Sequence, residues 1–177
     1  LYSQINYQDQ PVRVSPLKYA SAIKWFTNMK DGIPAYIKID MATQNTELVK
    51  LSEGMKYTTS DHFNRNIYRH LRFNYPTYIF NDLSFEIDED GVPYWICPVK
   101  KYNIGLFGGT TIGRVVLCNA ITGETTDYAV EDVPQWVDRV YSADLLVELY
   151  NYHGTLKHGF FTSVLRQKDC LNTTDGY

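Results

Sequence analysis

The chain has 177 residues, 44% of them hydrophobic and 21% charged, with a formal net charge of −3 at pH 7. That length allows one ordinary domain or two small lobes, and the composition is that of a folded chain rather than a disordered one. The mild negative charge argues against a nucleic-acid binder, which normally shows a basic face.

No stretch reaches the roughly 18 apolar residues needed to span a bilayer, and no signal-peptide pattern is present. Membrane attachment is therefore expected only through segments outside this chain. The first residue is Leu1 rather than Met, and the last three are Asp175, Gly176 and Tyr177, so the chain reads as an excised piece of a larger protein.

In chain order, Ser15-Pro16 reads as an N-cap followed by proline at the first helical position, where its missing N–H costs nothing. Tyr19, Ala22, Ile23, Phe26 and Met29 then share one face of a helix ending near Lys30 at the Asp31-Gly32 turn. Ala35 to Met41 and Glu47 to Leu51 read as a strand pair. A second helix is expected from Ser60 to about Phe73, capped by Ser60, with Phe63, Ile67 and Leu71 as its apolar stripe. Leu83 to Asp88 and Pro93 to Val99 then form a hairpin around Asp90-Gly91. Val115 to Ala120 and Thr125 to Val130 form another, with Thr122-Gly123 at the bend. A C-terminal helix follows, capped by Ser142, with Leu145, Leu146 and Leu149 inward and Gly154 at its end.

Two stretches echo one another. Asp31-Gly32-Ile33-Pro34-Ala35-Tyr36-Ile37 matches Asp90-Gly91-Val92-Pro93-Tyr94-Trp95-Ile96 by identity or close kind at every position except Ala35 against Tyr94. Asp40-Met41-Ala42-Thr43 resembles Asn119-Ala120-Ile121-Thr122 in the same order. The pattern predicts an α+β fold of two related helix-plus-antiparallel-sheet units followed by a C-terminal helical segment. The expected divisions are a first unit over 1–56, a second over 57–134 with a glycine-rich insertion, and a helical segment over 135–177.

Candidate chemistry is sparse. Asp82, Glu86, Asp88, Glu89 and Asp90 form the densest acidic cluster. Val92 and Tyr94 stand where a calcium loop would need further oxygen ligands, so a solvated strand end is the better reading. Ile104 to Gly113, IGLFGGTTIG, has neither the Lys-Ser/Thr ending of a P-loop nor the order of a dinucleotide site. With Lys100, Lys101 and Arg114 flanking it and Leu106-Phe107 within it, the loop offers an anion or partner contact.

His62, His70, His153 and His158 lack zinc spacing. Cys97, Cys118 and Cys170 lack CxxC spacing, and the first two sit in apolar runs as buried thiols would. No nucleophilic or metalloprotease signature appears. Tyr75, Tyr78, Tyr94, Trp95, Trp136, Tyr141, Tyr150 and Tyr152 are divided between core packing and a ligand groove.

The helix followed by Asp-Gly-x-Pro-Tyr-Trp-Ile and the strand closing in Asn119-Ala-Ile-Thr-Gly-Glu124 resemble the PepSY type of α+β module. That resemblance covers the second unit well and the first poorly. IGLFGGTTIG, NAITGE and VPQWVDRVYSAD also resemble the soluble region of large membrane-anchored proteins of Gram-positive bacteria, over nearly the whole chain. The resemblance implies an extracytoplasmic, non-catalytic module, in a group associated with restraint of proteases or with envelope regulation. It carries over no catalytic residue.

The expectation is a binding or regulatory domain of a larger cell-envelope protein that contacts a protein partner. It would not be an enzyme and would use neither cofactor nor metal. The candidate contact residues are Trp95, Lys100, Lys101, Leu106, Phe107 and Arg114. The alternative is a small-ligand or glycan-binding domain, less readily an enzyme, using the same insertion and nearby aromatics.

Overall fold

The computed structural model describes residues 3–18, 30–102 and 110–138. Among the described residues, eight strands make two four-stranded antiparallel sheets. The first sheet runs β1 (Ser3–Tyr7), β2 (Gln10–Pro16), β3 (Ile33–Asp40) and β4 (Thr46–Met55). The second runs β5 (Ser84–Ile87), β6 (Pro93–Tyr102), β7 (Thr110–Asn119) and β8 (Thr125–Ala129). Each sheet is a meander, its strands lying side by side in chain order.

This corrects the expected fold class. The described residues are mostly β, and their single α-helix, α1 (Ile67–Asn74), has 8 residues. Neither sheet belongs to a helix-plus-sheet unit of the expected kind. Ser15 and Pro16 close β2, paired with Ile37 and Tyr36, instead of opening a helix. Val12 and Val14 point into the core from that strand with exposed Arg13 between them, an alternation of period two. Tyr19 to Met29 and the expected C-terminal helix lie outside the described residues.

The second expected helix is shorter than its apolar stripe suggested. Asn66, not Ser60, is its N-cap, its side-chain oxygen accepting from the N–H groups of Tyr68 and Arg69. The preceding Thr58 donates its hydroxyl to Asp61 at 2.7 Å, so this polar stretch forms its own turn. Ile67 and Leu71 are fully buried, whereas Phe63 belongs to a short 3₁₀ turn and is 64% exposed. A helix of two turns is marginal alone; burial of those two side chains against the sheets holds it.

One core joins the sheets. Val14, Tyr36 and Met55 from the first meet Phe85, Trp95, Cys97 and Val116 from the second. Tyr36 packs edge-on against Phe85 at 6.1 Å, and Phe85 against Trp95 at 5.4 Å. Each buried side chain of this size stabilises by about 1.5–3 kcal/mol. Polar contacts fix the seam: the Tyr36 hydroxyl donates to the Gly91 carbonyl at 3.1 Å, and the Phe85 N–H to the Ser3 hydroxyl at 3.2 Å.

The repeated motifs are part equivalent and part displaced. Asp40 and Asn119 each close the third strand of their sheet and build the same turn. Asp40 Oδ1 accepts from Ala42 and Thr43 N–H at 2.8 and 3.0 Å, and Asn119 Oδ1 from Ile121 and Thr122 at 2.8 and 3.1 Å. The two Asp-Gly pairs do not correspond: Asp31-Gly32 precedes the third strand of its sheet and Asp90-Gly91 the second. The extra length in the second stretch is therefore one strand with its connection, not a loop inserted into a common unit.

Candidate functional site

The residues expected to form a contact surface separate. Trp95 is fully buried, and its indole N–H donates to the Tyr57 carbonyl at 2.8 Å. It belongs to the core, apart from the other expected contact residues. Lys100, Lys101 and Arg114 do come together, lining an open cleft of about 460 Å³. Leu106 and Phe107 lie outside the described residues.

The cleft forms where the segment after α1 returns along β6. The Lys100 N–H donates to the Ile79 carbonyl at 2.7 Å and the Asn81 N–H to the Pro98 carbonyl at 2.8 Å, so Thr77 to Ile79 makes one wall. Tyr75 and Tyr78 stack at 5.2 Å, with Phe80 edge-on to both, which stiffens that wall. The Tyr78 hydroxyl donates to Asp127 Oδ2 at 2.6 Å, and Arg114 Nε donates to Asp127 Oδ1 at 2.8 Å. The hydrogen bond to Asp127 pushes the Tyr78 hydroxyl above its usual range, and the same carboxylate holds Arg114 more firmly charged. Neither group is poised for proton transfer. Ile79, which no sequence pattern marked, is 54% exposed at the cleft, as is Tyr102.

Among the described residues the expected aromatics do not form one groove, and Tyr141, Tyr150 and Tyr152 lie outside the described residues. Tyr75, Tyr78 and Phe80 pack on the inner side of the second sheet, whereas Tyr94 lies against Trp136 at 5.2 Å on its outer side. That outer side is covered by Val130, Val133, Trp136 and Val137 over Ile96, Ile112, Val115 and Leu117. Asp138 follows this covering segment; its N–H donates to the buried Glu86 carboxylate at 3.0 Å and its carboxylate accepts from the Asn6 N–H.

The acidic cluster is likewise divided. Glu86 is buried, and Asp88 Oδ1 accepts from Asp90 and Val92 N–H at 3.0 and 2.9 Å to close the β5–β6 turn. Asp88, Glu89 and Asp90 border a larger opening of about 560 Å³ with Tyr7 and Trp136. Among the described residues no three His, Cys, Asp or Glu side chains are placed to hold a metal ion, and no helix is long and apolar enough to cross a membrane.

His70 Nε2 donates to the Gly123 carbonyl at 2.6 Å, and the ring packs on Tyr57 at 4.4 Å, a structural role. His153 and His158 lie outside the described residues. Burial pushes the Cys118 thiol up to about 12 and the Cys97 thiol well above its usual value, so both are poor nucleophiles. No known family, curated protein or solved structure matches this chain.

Proposed function

We infer that this chain is a non-catalytic, extracytoplasmic binding domain of a larger cell-envelope protein, contacting protein partners through the cleft between Thr77–Ile79 and the ends of β6 and β7. The observation that supports this reading is the character of the cleft. It is open, it exposes Ile79 and Tyr102 beside Lys100 and Lys101, and its tyrosine and arginine are already engaged with Asp127. An exposed apolar pair rimmed by charge suits a protein contact. Acid–base or nucleophilic chemistry would need a base or activated nucleophile within reach. The envelope setting rests on the resemblance of IGLFGGTTIG and VPQWVDRVYSAD to membrane-anchored proteins of Gram-positive bacteria.

A photo-crosslinking amino acid at position 102, compared with one at Lys50 on the solvent side of the first sheet, tests the contact. Discrete adducts to one envelope protein from position 102, lost on Ile79→Ser, are expected. Equal adducts from both positions would count against the cleft. A compartment-specific reporter fused to the full-length protein tests the setting, and cytoplasmic activity of the reporter would remove it.

A further inference from the structure

The cleft is built on a backbone irregularity. Val99 pairs with Arg114, but Lys100 pairs with Ile112, so Gly113 is the extra residue of a bulge in β7. The extra residue lies in β7 and leaves the alternation along β6 in place; Lys100 and Lys101 both border the cleft. Gly113 leaves the room: a Cβ there would lie 3.0 Å from Lys101 Cβ and 3.2 Å from its Cδ, so the lysine stem lies across the glycine.

The charges in the cleft are unequal in what they have left to offer. Arg114 is held by Asp127 at 2.8 Å. Lys100 and Lys101 enter no ion pair among the described residues. Two uncompensated ammonium groups beside exposed Ile79 and Tyr102 match carboxylates spaced by apolar side chains. The chain as a whole carries −3, so a long polyanion is repelled where it leaves the cleft, whereas a short acidic segment is not.

Resting on the reading of this cleft as a protein contact, we propose that it binds an acidic, apolar-alternating peptide segment of the partner. Lys100 and Lys101 take the carboxylates, Ile79 and Tyr102 take the apolar side chains, and Gly113 positions Lys101.

Fluorescein-labelled hexapeptides alternating Glu with Leu, or Gln with Leu, measured by anisotropy against the full chain, provide the test, with an oligothymidylate as competitor. The Glu–Leu peptide is expected to bind, and the Lys100→Gln/Lys101→Gln double variant to bind it about tenfold more weakly. The loss on moving from about 50 to 500 mM NaCl should be severalfold. Gly113→Ala should weaken binding of the Glu–Leu peptide while leaving the melting temperature of the fold unchanged. Equal affinity for both peptides, or no effect of the lysine changes, would overturn the acidic inference and leave the broader reading standing on the crosslinking result. Displacement by oligothymidylate at equal concentration would make the cleft a general polyanion site instead. Binding of neither peptide would overturn the inference outright.

Discussion

The two sheets share a topology and one turn, yet their outer faces are covered to different extents. In the first sheet that face is partly open: Leu48 on β4 is 54% exposed and Lys50 on the same side is exposed, while Ala35 and Ser15 are buried. In the second, the segment from Val130 to Val137 crosses the outer face, and β5 is buried along its whole length. Sheets covered on both faces read as continuous apolar runs, whereas half-exposed sheets alternate. Trp95-Ile96-Cys97-Pro98-Val99 and Thr46-Glu47-Leu48-Val49-Lys50 are those two patterns. Similar backbone geometry therefore does not imply similar surroundings; the covering segment creates the difference.

The largest test of that contrast is a pair of truncations. Trp95→Ala should destabilise by about 3–5 kcal/mol, and Leu48→Ala should stay within about 0.5 kcal/mol, both read from urea unfolding. A comparable loss at Leu48 would mean that the open part of the first sheet's outer face is covered after all.

A second test removes the latch of the covering segment. Glu86→Ala leaves the Asp138 N–H without that acceptor and should cost roughly 1–3 kcal/mol, with a rise in binding of a hydrophobic dye as the face over Ile96 and Leu117 opens. Unchanged stability and dye binding would detach the segment from the stability of the second sheet.

A third test uses what the sheets have in common. Gln44 and Gly123 occupy the same position of the shared turn, at φ 59° and 78°. A side chain in this left-handed region costs roughly 1–2 kcal/mol. Gln44→Gly should therefore stabilise by up to about that amount. Gly123→Gln should destabilise, and by more, because a Cβ there runs into the Tyr57 ring. Changes of the same sign at both positions would break the equivalence of the turns.

The last test concerns the seam between the sheets. Burial first, then the charges of Tyr7, Glu47 and Asp88, pushes the Tyr36 hydroxyl from 10.0 up to about 12. Because the folded state holds this proton more tightly than the unfolded chain does, the contribution is complete below about pH 10 and is lost as the pH rises toward 12. Stability should fall over that window, and Tyr36→Phe should flatten the fall. In the Cys170→Ser background a thiol reagent should label Cys97 and Cys118 slowly at pH 8 and rapidly in denaturant.

Much of the fold was legible strand by strand. Six of the eight strands were anticipated within a few residues of their ends, because Gly, Pro and Asx residues punctuate them and β-branched residues fill them. β1 and β2 were missed. Ser3–Tyr7 has one strong apolar residue, Ile5. Ser15-Pro16 carries the local signature of a helix start, while its position at the end of a strand is decided by pairing with β3. At the cleft, Lys100, Lys101 and Arg114 were visible as charges flanking a glycine-rich stretch. Ile79 was not, because an isolated apolar residue acquires meaning only when the chain around it returns along β6.

By itself the sequence determined the turns, the alternation of most strands and the likeness of Asp40-Met41-Ala42-Thr43 to Asn119-Ala120-Ile121-Thr122, because these depend on interactions within a few residues. Tertiary structure alone decided which repeated words correspond, that Trp95 is core, and that two neighbouring lysines face one cleft. Those outcomes depend on strand order and on how the segment after α1 returns along β6. Hydrogen-bond register and burial link residues far apart in the chain, and a local pattern carries no record of that distance.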